Sequence, residues 1–168
     1  KTEVVSPVNG VCIPLEQVKD SVFASKMLGD GFDVGNMTPV RLPHTVKETP
    51  LHYFDESVYQ MVSGYRRDVY IPEEWKGKRL LLTIDGAAHE SEVYWNGKKI
   101  GEHHCGYTAF TMDISDDAVY GIRNTLVVKV DSRESVNIPP FGFVIDYMTY
   151  GGLYREVWLD IKEKTYLK

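Results

Sequence analysis

The chain reads as an all-β protein, an antiparallel β-sandwich of the jelly-roll kind, and three observations carry that expectation. Short apolar segments alternate with polar residues from Tyr65 onward. Turn residues punctuate them at regular intervals, and no stretch in that region has the 3.6-residue apolar period of an amphipathic helix. Residues 66–71 alternate and are broken by Pro72-Glu-Glu-Trp-Lys-Gly77. Residues 78–84 form a buried-type strand ended by Asp85-Gly86. Residues 91–95 alternate and run into Asn96-Gly97, a hairpin signal because both turn positions favour positive φ. Residues 98–102 return, and 109–114 follow as a further strand with Ser115-Asp116-Asp117 as an acidic turn or short cap. Leu126, Val128 and Val130 share one face. In the last strand Leu153, Val157, Leu159 and Ile161 fall on one side, with Arg155 the polar exception.

The N-terminal part differs in character. Ser6-Pro7-Val8-Asn9-Gly10 is a strand–turn–strand signature. Residues 20–28 suit one short helix capped by Asp20 or Ser21 and stopped by Gly29 and Gly31. These features form a short extension, 1–36, ahead of the sandwich, 37–168, with a junction near Gly35-Asn36. Residues 4–13 are expected to supply edge strands, since an exposed sheet edge otherwise invites aggregation. The long loop 46–64 carries Tyr53, Phe54 and Tyr59, a length that points to function or to packing on a partner.

At 168 residues the chain suits a single core-forming domain. Its formal charge of −5, with Arg66-Arg67, Lys76, Lys78-Arg79 and Lys98-Lys99 scattered among acids, excludes a general nucleic-acid binder. No apolar run approaches the roughly 18 residues of a membrane span, and no signal peptide is visible at the N-terminus, so a cytoplasmic setting is the expectation. Two cysteines, Cys12 and Cys105, are not a disulfide framework, and whether they pair stays open.

Chemistry is sparse. His103-His104-Cys105 lies on a strand, where neighbours point to opposite faces and do not converge on one ion. Glycosidic cleavage needs two carboxyls facing each other across the bond. Glu90 and Glu92 share one strand face as surface charge, Asp116-Asp117 is turn chemistry, and Asp113 has no opposing partner in the pattern. No phosphate loop or nucleophile elbow occurs, and neither a cofactor nor a metal is expected. The informative stretch is 141–159. There Asp146 lies among Phe141, Phe143, Tyr147 and Tyr150, ahead of Gly151-Gly152 and the last strand. Aromatic rings pack on the apolar face of a sugar, and a carboxylate accepts hydrogen bonds from its hydroxyls. Asp146, Tyr147 and Tyr150 are therefore candidate carbohydrate-binding residues. The alternative is a solvated acid whose aromatic neighbours belong to the core.

The ordered set Leu42-Pro43-His44, Gly64-Tyr65-Arg66-Arg67, Ile71-Pro72, Trp75, Gly77, Leu82, Asp85-Gly86, Val93-Tyr94-Trp95-Asn96-Gly97, Gly101, Gly106-Tyr107-Thr108-Ala109-Phe110, Asp113-Ile114, Gly121, Asn124, Leu126, Val128, Val130 and Gly151-Gly152-Leu153-Tyr154-Arg155-Glu156-Val157-Trp158-Leu159 resembles the N-terminal sugar-binding domain of glycoside hydrolase family 2. That family includes the β-galactosidases and β-glucuronidases. The resemblance implies a jelly roll whose catalytic glutamates sit in a TIM barrel beyond an immunoglobulin-like domain. It implies no hydrolysis by this chain alone, and a β-linked sugar such as a galactoside as ligand. It also implies that an acid before the last strand reaches the barrel's site, and Asp146 stands at that offset.

Ser6-Pro7-Val8-Asn9-Gly10, Pro14-Leu15-Glu16-Gln17-Val18, Asp20, Val22-Phe23-Ala24 and Lys26-Met27-Leu28-Gly29-Asp30-Gly31 resemble instead the opening of a glucose-type IIA phosphocarrier domain of the sugar phosphotransferase system. Neither of that family's site histidines has a counterpart here, so no phosphotransfer is expected. The leading expectation is thus a non-catalytic carbohydrate-binding domain. The alternatives are a phosphotransferase-linked uptake or regulatory protein, and a structural module that docks on a barrel.

Overall fold

The computed structural model describes residues 9–14, 37–48, 55–141 and 147–166. Among the described residues nine strands appear in chain order: β1 Asn9–Pro14, β2 Thr38–Arg41, β3 Val62–Ile71, β4 Arg79–Ile84, β5 Glu90–Trp95, β6 Lys98–His103, β7 Phe110–Asp113, β8 Ile122–Asp131 and β9 Val157–Lys162. They build two antiparallel sheets, one ordered β2-β1-β3-β8-β5-β6 and the other β7-β4-β9. The sandwich expected from alternation is present. The core forms where the two inner faces meet, from Leu80, Leu82 and Ile84 of β4, Val93 and Trp95 of β5, Leu126, Val128 and Val130 of β8, and Val157 and Leu159 of β9. Each fully buried side chain of this size contributes roughly 1.5–3 kcal/mol from leaving water.

Local chemistry sets the turns. Asn96 and Gly97 adopt φ of 50° and 81° between β5 and β6, the left-handed pair that a two-residue hairpin requires. Pro72 precedes a 3₁₀ turn, Glu73–Trp75, where residues 72–77 were expected to interrupt the strand. A second 3₁₀ turn, Glu56–Tyr59, lies inside the long loop and is capped by the Asp55 carboxylate on the Ser57 N–H at 2.9 Å. It drives Tyr59 into the interior.

Two expectations need correction. Residues 4–13 are expected at sheet edges, yet β1, which holds residues 9–13 of them, lies inside the larger sheet between β2 and β3, and among the described residues β2 is the edge; residues 4–8 lie outside the described residues. The extended 38–41 segment supplies the outer partner that the N-terminal segment was expected to be. The last strand was also expected to begin at Leu153 but begins at Val157. The Gly152 and Leu153 backbone groups are engaged by Ala88, Ser132, Tyr65 and His44, and so are unavailable to a ladder. The helix expected at 20–28, the junction near Gly35-Asn36 and the candidate Asp146 lie outside the described residues.

Candidate functional site

The segment joining β8 to β9 is anchored at both ends, and the anchors explain where its aromatic side chains stand. At its start the Ser132 N–H donates to the Met61 carbonyl at 2.9 Å, and the Glu134 N–H donates to Gln60 Oε1 at 2.7 Å. At its end the Ala88 N–H donates to the Gly152 carbonyl at 3.0 Å, the His44 N–H to the Leu153 carbonyl at 2.8 Å, and the Val46 N–H to the Gly151 carbonyl at 3.1 Å. The Leu153 N–H reaches Tyr65 Oη at 3.2 Å, and the Gly152 N–H reaches Ser132 Oγ at 3.0 Å. Between these points the Thr149 hydroxyl donates to Glu134 Oε1 at 3.0 Å, tying the segment's two halves together.

Four chain segments therefore converge on Gly151-Gly152, which explains the paired glycine. A Cβ on Gly151 would lie 2.7 Å from Ser132 Oγ. Gly152 has φ +98°, and a Cβ there would lie 2.3 Å from Tyr65 Oη.

On this base stand the aromatic residues. Tyr147 is 53% exposed and Tyr150 40% exposed, so both present ring surface to solvent. The rings of Tyr147 and Tyr107 meet edge-on, with centroids 6.5 Å apart at 69°, and their hydroxyls are 3.1 Å apart. Tyr150 tilts against the buried Tyr59 at 5.8 Å. Tyr107 is held by Arg155, whose Nη1 donates to the Tyr107 carbonyl at 3.1 Å while its guanidinium lies 5.2 Å from the Tyr154 ring centre. The Tyr154 hydroxyl donates to the Gly106 carbonyl. Burial, followed by the hydrogen bond with Tyr147, pushes the Tyr107 phenol well above its ordinary pKa. It is therefore a neutral hydrogen-bonding group across the physiological range. Phe141, 62% exposed, and Val136, 77% exposed, add apolar surface from the same segment.

Of the three sequence candidates the structure describes two, and each meets another tyrosine: Tyr147 meets Tyr107, and Tyr150 meets Tyr59, which the sequence had noted only as part of the long loop 46–64. Tyr107 sits 40 residues from Tyr147 in the chain, so no spacing pattern links them. Tyr107 does stand in the ordered motif Gly106–Phe110, which was the available signal. The other chemistry-bearing residues are dispersed. Glu92, whose burial alone would raise its pKa, is pulled to about 2 by Lys99, Tyr94 and Lys129. With Glu90, which pairs with His104 at 3.0 Å, it lies on the outer face of the larger sheet. Asp113 is paired with Arg79. His103 stacks on Phe110 at 4.3 Å, and Cys105 is a free thiol. Among the described residues no group of His, Cys, Asp and Glu is arranged to hold a metal ion. None of their helices is long and apolar enough to cross a membrane.

His89 is buried, 3% exposed, with its Nδ1 lacking a hydrogen-bond partner. Burial lowers its pKa below the ordinary 6.5, with Glu134 and Asp131 opposing the shift. As pH falls through about 6.5 the unfolded chain takes up a proton that the folded chain refuses, so stability is present above that pH and is lost below it. His44 and His103 are shifted the same way by burial, while His104 is raised by Glu90 and opposes them. The informative measurement is therefore a difference. Between pH 7.5 and 5.5, urea-unfolding free energy should fall less steeply for His89→Asn than for the parent, by up to about 1.4 kcal/mol per pH unit. Equal slopes would exclude His89 from the acid response.

A family model described as glycosyl hydrolases family 2, sugar binding domain, matches residues 16–162. A β-galactosidase of Thermoanaerobacter pseudethanolicus is 45% identical over 138 residues, 82% of this chain and 19% of the relative. A β-glucuronidase of Bacteroides fragilis is 38% identical over 131 residues, 78% of this chain and 19% of the relative. Among solved structures, β-glucuronidase 2 of Bacteroides uniformis, covalently bound to cyclophellitol-6-carboxylate aziridine, superposes with a TM-score of 0.72 at 28% identity. That match covers 96% of this chain and 18% of the other. The chain spans about one fifth of the length of these curated relatives. The family match begins at Glu16, inside the segment likened to a IIA phosphocarrier, and these matches lend that second likeness no support.

Proposed function

We propose that this chain, which belongs to the sugar-binding domain of glycosyl hydrolases family 2, contributes one wall of a β-glycoside site through the segment between β8 and β9. In this reading Asp146 accepts hydrogen bonds from sugar hydroxyls, while Tyr147 and Tyr150 offer ring faces to the apolar side of the sugar. The observation that carries it is the pinned base of that segment. Gly151-Gly152, Glu134 and Thr149 hold Tyr147 and Tyr150 outward and exposed instead of in the core. The ligand class is a β-galactoside or β-glucuronide, after the activities named for the relatives. The parent protein would supply an immunoglobulin-like domain and a TIM barrel whose carboxylates cleave the bond, so that this domain binds and positions. A cytoplasmic setting goes with this reading, the free thiol of Cys105 being what a reducing compartment leaves.

One wall of a site binds weakly, with affinity on the order of 1 mM. NMR titration of the chain with galactose and with glucuronic acid should shift the Tyr147 and Tyr150 resonances together with that of Asp146. Asp146→Asn should weaken the effect about tenfold, the loss of a charge-assisted hydrogen bond. A titration that leaves all three unmoved at concentrations on the order of 100 mM would defeat the sugar reading. A docking role is the second reading, favoured by the apolar exposure of Val136, Phe141, Tyr147 and Tyr150 on one segment. It predicts that these residues are covered only when a barrel is present.

A further inference from the structure

A groove of about 220 Å³ opens along one side of the sandwich, between residues 67–70 of β3 and 157–159 of β9, with Leu82, Trp95 and Leu126 as its apolar floor. It follows from the unequal widths of the sheets. Six strands face three, so the inner face of the larger sheet runs on past β9, an outer strand of the smaller one. Both walls of the groove are strand edges. β9 pairs with β4 on one side and, among the described residues, with no strand on the other. β3 pairs with β8 along its whole length, but β1 accompanies its other side only from Ser63 to Arg66. Alternate residues of an antiparallel strand turn both N–H and C=O to the same neighbour, so each open edge offers a row of donors and acceptors.

The groove also carries charge. Arg67 shares the inward-facing parity of Tyr65 and Ile71, which are core. Its guanidinium makes no ion pair among the described residues, whereas Arg66 on the opposite face pairs with Asp68 at 3.2 Å. Asp68, the acid among the lining residues, also accepts from the Thr125 hydroxyl at 2.9 Å. Trp95 is 1% exposed, and its Nε1 has no hydrogen-bond partner. Open backbone edges, an apolar floor, an unpaired cation and a spare indole N–H complement one kind of occupant. It is an extended backbone with apolar side chains at alternate positions and a carboxylate among them.

We propose that the groove takes an acidic, extended segment of a partner protein by strand addition beside β9. The segment becomes a fourth strand of the smaller sheet. Its ladder bonds go to β9, its inward apolar side chains cover Leu126 and Trp95, and its carboxylate pairs with Arg67. The six residues of β9 offer about 20 Å of edge for it. This docking is independent of the sugar reading, because the groove and the Tyr107–Tyr147 pair share no residue.

The probes are acetylated heptapeptides that alternate threonine with valine and carry glutamate in place of each valine in turn. Fluorescence anisotropy against the full chain should give a Kd on the order of 100 μM for at least one of them. Lysine in place of its glutamate should weaken binding about tenfold. Arg67→Glu should reverse that preference, and Arg67→Met, which keeps an apolar stem, should erase it, so the test survives if the charge reversal does not fold. N-methylation of alternate peptide amides reads the ladder itself. One set faces β9 and should abolish binding, and the other should leave it within about threefold of the parent peptide. The proposal is overturned if no peptide binds at about 1 mM, if glutamate and lysine peptides bind alike, or if the two N-methylated sets bind equally.

Discussion

Gly152→Ala should cost about 2–5 kcal/mol, a large share of the 5–15 kcal/mol by which a domain of this size is normally stable. Two penalties combine. At φ +98° an L side chain carries backbone strain of about 1–2 kcal/mol. The new methyl would also stand 2.3 Å from Tyr65 Oη, 3.0 Å from Val46 Cγ1 and 3.3 Å from the His44 carbonyl. It cannot be accommodated by moving Tyr65, whose hydroxyl is the acceptor for the Leu153 N–H and lies 3.0 Å from His44 Nδ1. Such overpacking adds about 1–3 kcal/mol. Gly77 is the control. Its φ is +86° and nothing lies within 4 Å of where an alanine methyl would stand, so Gly77→Ala should show the backbone penalty alone. Urea unfolding of both variants separates the terms, and equal losses would show that the convergence at Gly152 is loose. The consequence for function is direct, because Tyr147 and Tyr150 are aimed by the backbone that Gly152 anchors.

Asn124→Leu should cost about 3–5 kcal/mol although the two side chains are close in volume. Asn124 is 1% exposed at the start of β8. Its Nδ2 donates to the Val119 carbonyl at 2.8 Å and to the Ile122 carbonyl at 3.3 Å. Its Oδ1 accepts from the Val119 N–H and from Asn96 Nδ2, each at 2.8 Å. Leucine would leave all four partner groups without the bond they make to this side chain, which is itself 1% exposed. Asn96 would feel the loss next. It occupies the hairpin turn at φ 50°, and its Oδ1 accepts from the Thr125 N–H at 2.9 Å, locking β5–β6 against β8. Thermal unfolding followed by circular dichroism should show a drop in Tm of more than about 10 °C for a change of this size. A smaller shift would mean that the 119–124 turn finds other partners.

The strands from β3 to β9 were legible because burial on one sheet face writes a two-residue period into the sequence, and the Asn96-Gly97 turn was legible because its backbone needs those residues. The start of β9 was not. Leu153 continues the apolar alternation of Val157 and Leu159, but its N–H is held by Tyr65, 88 residues away, and its carbonyl by the still more distant His44. The place of β1 was misjudged for a related reason. An apolar segment shows that it belongs to a sheet but not which neighbours it will have. Tyr147 and Tyr150 could be read as candidates from their setting around Asp146. Nothing local linked them to Tyr107, Tyr59 or Glu134.

The sequence by itself determined the class of fold, most of its strands and turns, and the family likeness that the comparisons bear out, because each of these is written in period, turn chemistry or ordered local motifs. Only the tertiary structure decided why two glycines stand at 151–152 and which tyrosines meet, Tyr107 with Tyr147 and Tyr59 with Tyr150. Each of these depends on side chains and strand edges brought together from distant parts of the chain, and local patterning carries no record of such distances.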